Sequence, residues 1–183
     1  ELIDVTAPRK IRQAKVSEID ALTADLKAGK IAGLITAGIN PLYTMADAAE
    51  ISKAVAALEL SVAFSMKLDE TASQVKYVAA TPHYLEAWGD YEFKVGHYAL
   101  AQPTIKPLFD TRQFQDVLLN LIGSETTYYE AIQSYWKANI LNGASWNQTL
   151  HDGYFTVANE TAVPLQTPEV SAQLASLSQS TEG

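Results

Sequence analysis

The sequence predicts an α/β fold of three layers, a mainly parallel sheet flanked by helices, with one long irregular excursion. Three observations carry that reading. An apolar run at residues 31–36 leads to Gly38 and the tight turn Asn40-Pro41, and a helical pattern follows at once. Two further apolar runs, at 60–64 and 77–80, come after that helix. Strands joined through a helix need a parallel crossover, and short unbroken apolar runs suit strands covered on both faces.

The elements follow in order. Residues 1–15, with Pro8 and the basic Arg9, Lys10 and Arg12, read as a lead-in. Ser17 is placed to cap the first helix, with Asp20 three residues on and Val16 outside it as a staple. Ile19, Leu22 and Leu26 recur at helical spacing and are expected to form its buried face, with Gly29 at the stop. After the Asn-Pro turn, Thr44 is expected to cap a second helix, with Asp47 at the capping-box position. Ile51, Val55 and Leu58 then recur at helical spacing.

From 82 to 109 no helical or strand period persists, so an ordered but irregular excursion packed on the domain is expected. Asp110 or Thr111 opens a helix carrying Phe114, Val117, Leu118, Leu121 and Ile122 on one face. A tyrosine-rich helix with Trp136 covers 126–140, and 154–157 reads as an added strand. The domain is thus expected to span 16–160. Residues 161–183 form a polar tail with one helical turn near Leu174.

A chain of 183 residues suits one domain with a proper core, and 48% hydrophobic residues argue against global disorder. The net charge of -8, without a Lys/Arg cluster, disfavours nucleic-acid binding. Without cysteine, this stretch has no disulfide, thiolate nucleophile or cysteine-ligated iron–sulfur cluster. No run approaches the length of a transmembrane helix, so no direct membrane insertion is expected, and no signal peptide is visible. A start at Glu1 instead of methionine is what an excised fragment would show, with the chemistry carried by its neighbours.

The strand, turn and helix at 33–50 form the best candidate site. Open α/β sheets bind ligands at the carboxyl ends of their strands, and helix-start amides there favour anions. The same residues would serve equally as a packed crossover whose glycine and Asn-Pro only make the turn. Asp47 and Glu50, in the first helical turn, satisfy the helix dipole themselves and repel phosphate. Neither a GxGxxG run nor a Walker loop follows the strand.

Asp69, Glu70 and Thr71 follow the second strand at the same sheet end. Carboxylates there suit a ribose or guanine edge, or simply a helix cap on a solvated acidic turn. His83, His97 and His151 lack metal-ligand spacing, and His83 with Glu86 lacks the further partners that zinc needs. There is no nucleophile elbow, so neither a catalytic residue nor a metal ligand is assigned. The Tyr and Trp cluster at 128–136 reads as core or as a docking face.

Several short motifs stand in a definite order along the chain. They are Gly38-Ile39-Asn40-Pro41, Asp69-Glu70-Thr71-Ala72, Leu85-Glu86-Ala87-Trp88-Gly89, Gln102-Pro103 with Ile105 and Pro107-Leu108, then Asp110-Thr111-Arg112 before Phe114. In that order, over residues 15–122, the chain resembles the molybdopterin guanine dinucleotide oxidoreductases, which include formate dehydrogenases and polysulfide reductases. The resemblance implies that Gly38, Asn40, Pro41, Ser65, Asp69, Glu70 and Thr71 border the place of that cofactor.

Two departures stand out. The family's acidic residue after the second strand falls at Ser65, which cannot accept two guanine N–H bonds as a carboxylate does. The family strand Ala-Asp-Val-Val-Leu-Pro appears as 75–80, with Lys76, and loses both its aspartate and its proline.

Residues 84–90 and 102–110 look most like the cofactor-free, molybdopterin-enzyme-like half of iron–sulfur subunits in bacterial alternative complex III, a quinol oxidoreductase. That likeness implies a non-catalytic structural domain in quinol-to-acceptor electron transfer, without a cofactor in this stretch and with iron–sulfur clusters elsewhere in the parent protein. It implies as partners other domains of that protein and subunits of a membrane-bound respiratory complex, at the periplasmic face of the inner membrane. The alternatives are a working molybdopterin guanine dinucleotide-binding domain of an active molybdenum enzyme, and an α/β binding module unrelated to redox.

Overall fold

A computed structural model describes residues 8–10 and 15–157, so the expected polar tail at 161–183 and the expected helical turn near Leu174 fall outside the described residues. The fold is α/β. A parallel sheet holds β1 (Gly33–Ala37), β2 (Leu60–Ser65) and β3 (Tyr77–Ala80), in that spatial order. Gly33 pairs with Leu60 and Ala37 with Phe64, while Val62 pairs with Tyr77 and Ser65 with Ala80.

Period-two alternation sorts the side chains of this sheet. Leu34, Thr36, Ser61 and Ala63 point to one face, and the last three are buried there. That face is covered by α1 (Val16–Lys27) and α3 (Ala48–Ala57), whose Leu26, Ile51 and Val55 form one apolar cluster with Leu58. Phe64 points to the opposite face, where it meets Phe114 of α4 (Phe114–Leu121) edge-on at a centroid distance of 4.7 Å. Helices therefore lie on both faces of the parallel sheet.

Residues 82–109 depart from expectation. They contain a 3-10 turn (Tyr84–Glu86) and an antiparallel hairpin of β4 (Gly89–Lys94) and β5 (His97–Ala101), extended by β6 (Tyr154–Thr156). The period in this stretch was obscured by a register shift between Glu92 and Lys94 and by short strands. Behind this second sheet pack α5 (Tyr128–Asn139) and α6 (Trp146–Asp152), around Leu100, Ile132, Trp136, Ile140, Leu141 and Trp146. The tyrosine-rich helix is thus in part core. Helix α6 was not expected, although Ser145 caps its start and Gly153, at φ 77°, ends it in the left-handed region.

Helix starts also moved. The first begins at Val16 instead of after Ser17, because the Glu18 carboxylate accepts from the Lys15 backbone N–H. Ile19 and Leu22 are exposed, and only Leu26 reaches the α3 cluster. Thr44 does not cap the second helix: it ends a one-turn helix, α2 (Pro41–Thr44), and its hydroxyl donates to the Asn40 carbonyl at 3.1 Å. Helix α3 starts at Ala48, with Asp47 at its cap position. Helix α4 starts at Phe114, three residues later than expected at the earliest, and its Leu118, Leu121 and Ile122 are exposed.

Candidate functional site

At the carboxyl end of β1, Gly38 takes φ 64°, which lets the chain turn while its N–H still donates to the Phe64 carbonyl at 3.0 Å. A Cβ added to Gly38 would touch nothing within 4 Å, so the backbone conformation alone calls for glycine. Pro41 opens α2, where its fixed φ and missing N–H fit the first helical position. The Asn40 carbonyl accepts from the N–H groups of Tyr43 and Thr44 at 3.1 and 3.2 Å.

The side chain of Asn40 reaches across to the loop after β2. Its oxygen accepts from the Thr71 N–H at 3.1 Å and from the Thr71 hydroxyl at 2.7 Å. Its amide donates to the Glu70 carboxylate at 2.6 Å. Thr71 is buried, and its hydroxyl oxygen accepts in turn from the Leu42 N–H at 3.1 Å. Gly38, Asn40, Pro41, Glu70 and Thr71 are therefore brought together as one clasp between two loops. The Asn40 amide holds the Glu70 carboxyl below its usual range.

Ser65 and Asp69 make a second, local arrangement. The Ser65 hydroxyl donates to the Lys67 carbonyl at 2.8 Å, and Asp69 accepts from the Ala72 N–H at 2.9 Å. The sequence reading allowed a helix cap at Asp69, but no helix follows: Asp69 instead closes a turn that leads into β3. Lys76 lies at the amino end of β3, where its N–H donates to the Ser61 hydroxyl and its ammonium to the Glu59 carbonyl. It is thus remote from the carboxyl ends of the strands.

Charge at the loop is settled internally as well. Lys27 pairs with both Asp47 and Glu50, and holds the Asp47 carboxyl below its usual range. A guanine dinucleotide would need free donors for its diphosphate and a free acceptor pair for its base. Here the polar groups of Asn40 and Thr71 satisfy one another, the Ser65 hydroxyl is engaged, and Glu70 adds negative charge. The arrangement fits a loop-to-loop clasp.

A cavity of about 400 Å³ adjoins the carboxyl ends of β2 and β3, lined by Met66, His83, Glu86, Ile105, Leu108 and Phe109 among others. Glu86 accepts from the His83 N–H at 2.9 Å and the Leu108 N–H at 3.0 Å, which hold its carboxyl below the usual range. The Leu85-Glu86 motif thus ties two loops together, with the Leu85 carbonyl accepting from Thr104 at 2.7 Å.

Sequence reasoning missed the role of Asp90. Its carboxylate accepts from the Tyr128 hydroxyl at 2.7 Å and from the Trp136 indole N–H at 3.0 Å. Burial, then the Asp90 contact, pushes the Tyr128 hydroxyl well up. The signal available was an acid directly after Gly89 in a stretch alternating Tyr91 and Phe93 with Glu92 and Lys94.

No protein-family model matches the chain. It is 35% identical, over 88 residues, to the menaquinone reductase molybdopterin-binding-like subunit of Nitratidesulfovibrio vulgaris. That match covers 46% of this chain and 13% of that protein, so the chain spans a small part of the relative's length. The likeness supports a molybdopterin-oxidoreductase-like relationship, as the ordered motifs implied.

Proposed function

We propose that this chain is a non-catalytic structural domain of a respiratory oxidoreductase subunit, built on the molybdopterin-enzyme plan. The observation that carries the reading is the Asn40–Thr71–Glu70 clasp. It spends the polar groups of the cofactor loop on joining that loop to its neighbour. The likeness to a molybdopterin-binding-like subunit of a menaquinone reductase supports a place in quinone-linked electron transfer.

In this reading the domain positions neighbouring parts of a larger assembly of the alternative complex III kind, on the periplasmic face of the inner membrane. Iron–sulfur clusters in other parts of the parent protein carry the electrons. The domain's contribution is geometric: it holds partner domains and subunits at fixed distances while the redox chemistry belongs to cofactors.

Elemental analysis of the native full-length protein tests this. Iron without molybdenum is the expected result, and stoichiometric molybdenum overturns it. A calorimetric titration of the 183-residue chain with a guanine nucleotide is expected to show no saturable binding, and tight stoichiometric binding would restore a live cofactor site.

A further inference from the structure

We infer that the second face of the parallel sheet is an interface, covered in the native protein by an apolar helix from elsewhere in the same larger polypeptide. This rests on the reading of the chain as one domain of such a polypeptide. Parallel sheets are normally covered on both faces. Among the described residues two helices, α1 and α3, cover one face, whereas the other has α4 alone, seated through Phe114 on Phe64.

The strand register places Ile35, Leu60, Val62, Phe64 and Tyr77 on that second face. Phe64, under α4, is 6% exposed, but Ile35 is 47%, Leu60 44% and Tyr77 61% exposed. The stripe of α4 that begins at Phe114 continues through Leu118, Leu121 and Ile122, at 40%, 70% and 79% exposure. A short helix covers the carboxyl half of the face and leaves the amino half open.

The chemistry of the patch selects the occupant. Apart from one tyrosine hydroxyl these side chains are aliphatic or aromatic hydrocarbon, so they match an apolar helix face and not a phosphate or a charged peptide. A membrane surface is disfavoured by the chain's net charge of -8, because anionic headgroups attract basic rims. In the similar menaquinone reductase subunit the matched 88 residues are 13% of the protein, so ample chain surrounds the corresponding segment there.

Hydroxyl-radical footprinting with mass spectrometry compares the 183-residue chain with the native full-length protein, read at Ile35, Leu60, Tyr77, Leu121 and Ile122. The expected result is severalfold less oxidation in the native protein, with chemical cross-links from the patch to another segment of the same polypeptide. Equal oxidation in both overturns the inference. So does protection of the 183-residue chain that grows with its concentration (a second copy), protection that appears only with lipid vesicles, or cross-links to a different subunit. Metal content reads the structural-domain proposal separately, so either idea can fail alone.

Discussion

The Asn40 side-chain oxygen accepts two hydrogen bonds from Thr71, one from its N–H at 3.1 Å and one from its hydroxyl at 2.7 Å. This one acceptor ties the turn after β1 to the loop after β2. It converts a motif that reads as a ligand cradle into a fastening.

Asn40→Ala should therefore cost stability. It leaves the buried Thr71 N–H and hydroxyl without their acceptor, at about 1–3 kcal/mol. A urea melt gives the value, and an unchanged midpoint would show that the clasp contributes nothing.

Gly38→Ala is expected to cost about 1–2 kcal/mol, the strain of an L residue at φ 64°. Gly38→Asn should cost less, since asparagine tolerates this region. No collision contributes, so equal losses for the two variants would contradict a purely backbone origin.

Acid sensitivity has a defined sign. Glu86 titrates lower in the folded chain than its ordinary 4.5, because the His83 and Leu108 N–H groups stabilise the carboxylate. The unfolded chain then takes up the proton first as pH falls. The stabilisation is complete above that ordinary value and is lost as pH falls through the folded one. In urea midpoints measured from about pH 7 to about pH 2, Glu86→Gln should start lower and fall less steeply than the parent. Parallel curves would rule Glu86 out as a source.

The Asp90 pair can be separated by a double-mutant cycle. Asp90→Ala strips the acceptor from the fully buried Trp136 indole and from Tyr128, and should cost about 1.5–3 kcal/mol. Tyr128→Phe should cost less on its own. Combined with Asp90→Ala it should add little, since both remove one contact. Full additivity would mean that the Tyr128 hydroxyl and Asp90 do not cooperate.

Some of this was legible from residues alone. The strand at Tyr77–Ala80 appears where the apolar run placed it, and β2 runs one residue beyond its predicted end. Local rules act there without competition: an apolar run, a glycine with positive φ and a proline at a helix start. The cap of α5, not singled out in the sequence, obeys the same kind of local rule, with Thr127 and Glu130 exchanging bonds within four residues of chain. Such features depend on near neighbours, and sequence reports near neighbours well.

What escaped depends on distance along the chain. Ile19, Leu22, Leu121 and Ile122 have faultless helical spacing, yet they are exposed, because spacing says which face is apolar and not whether anything packs on it. The hairpin at 89–101 needed β6, more than fifty residues on, to become a three-stranded sheet. Asn40 and Thr71 stand thirty-one residues apart, and each alone looks free to bind a ligand. The chain's local order carries the turns, the caps and the parallel strands. Whether a polar group is available or already satisfied is set when folding brings distant partners together, since a hydrogen bond is satisfied by proximity in space and not in sequence.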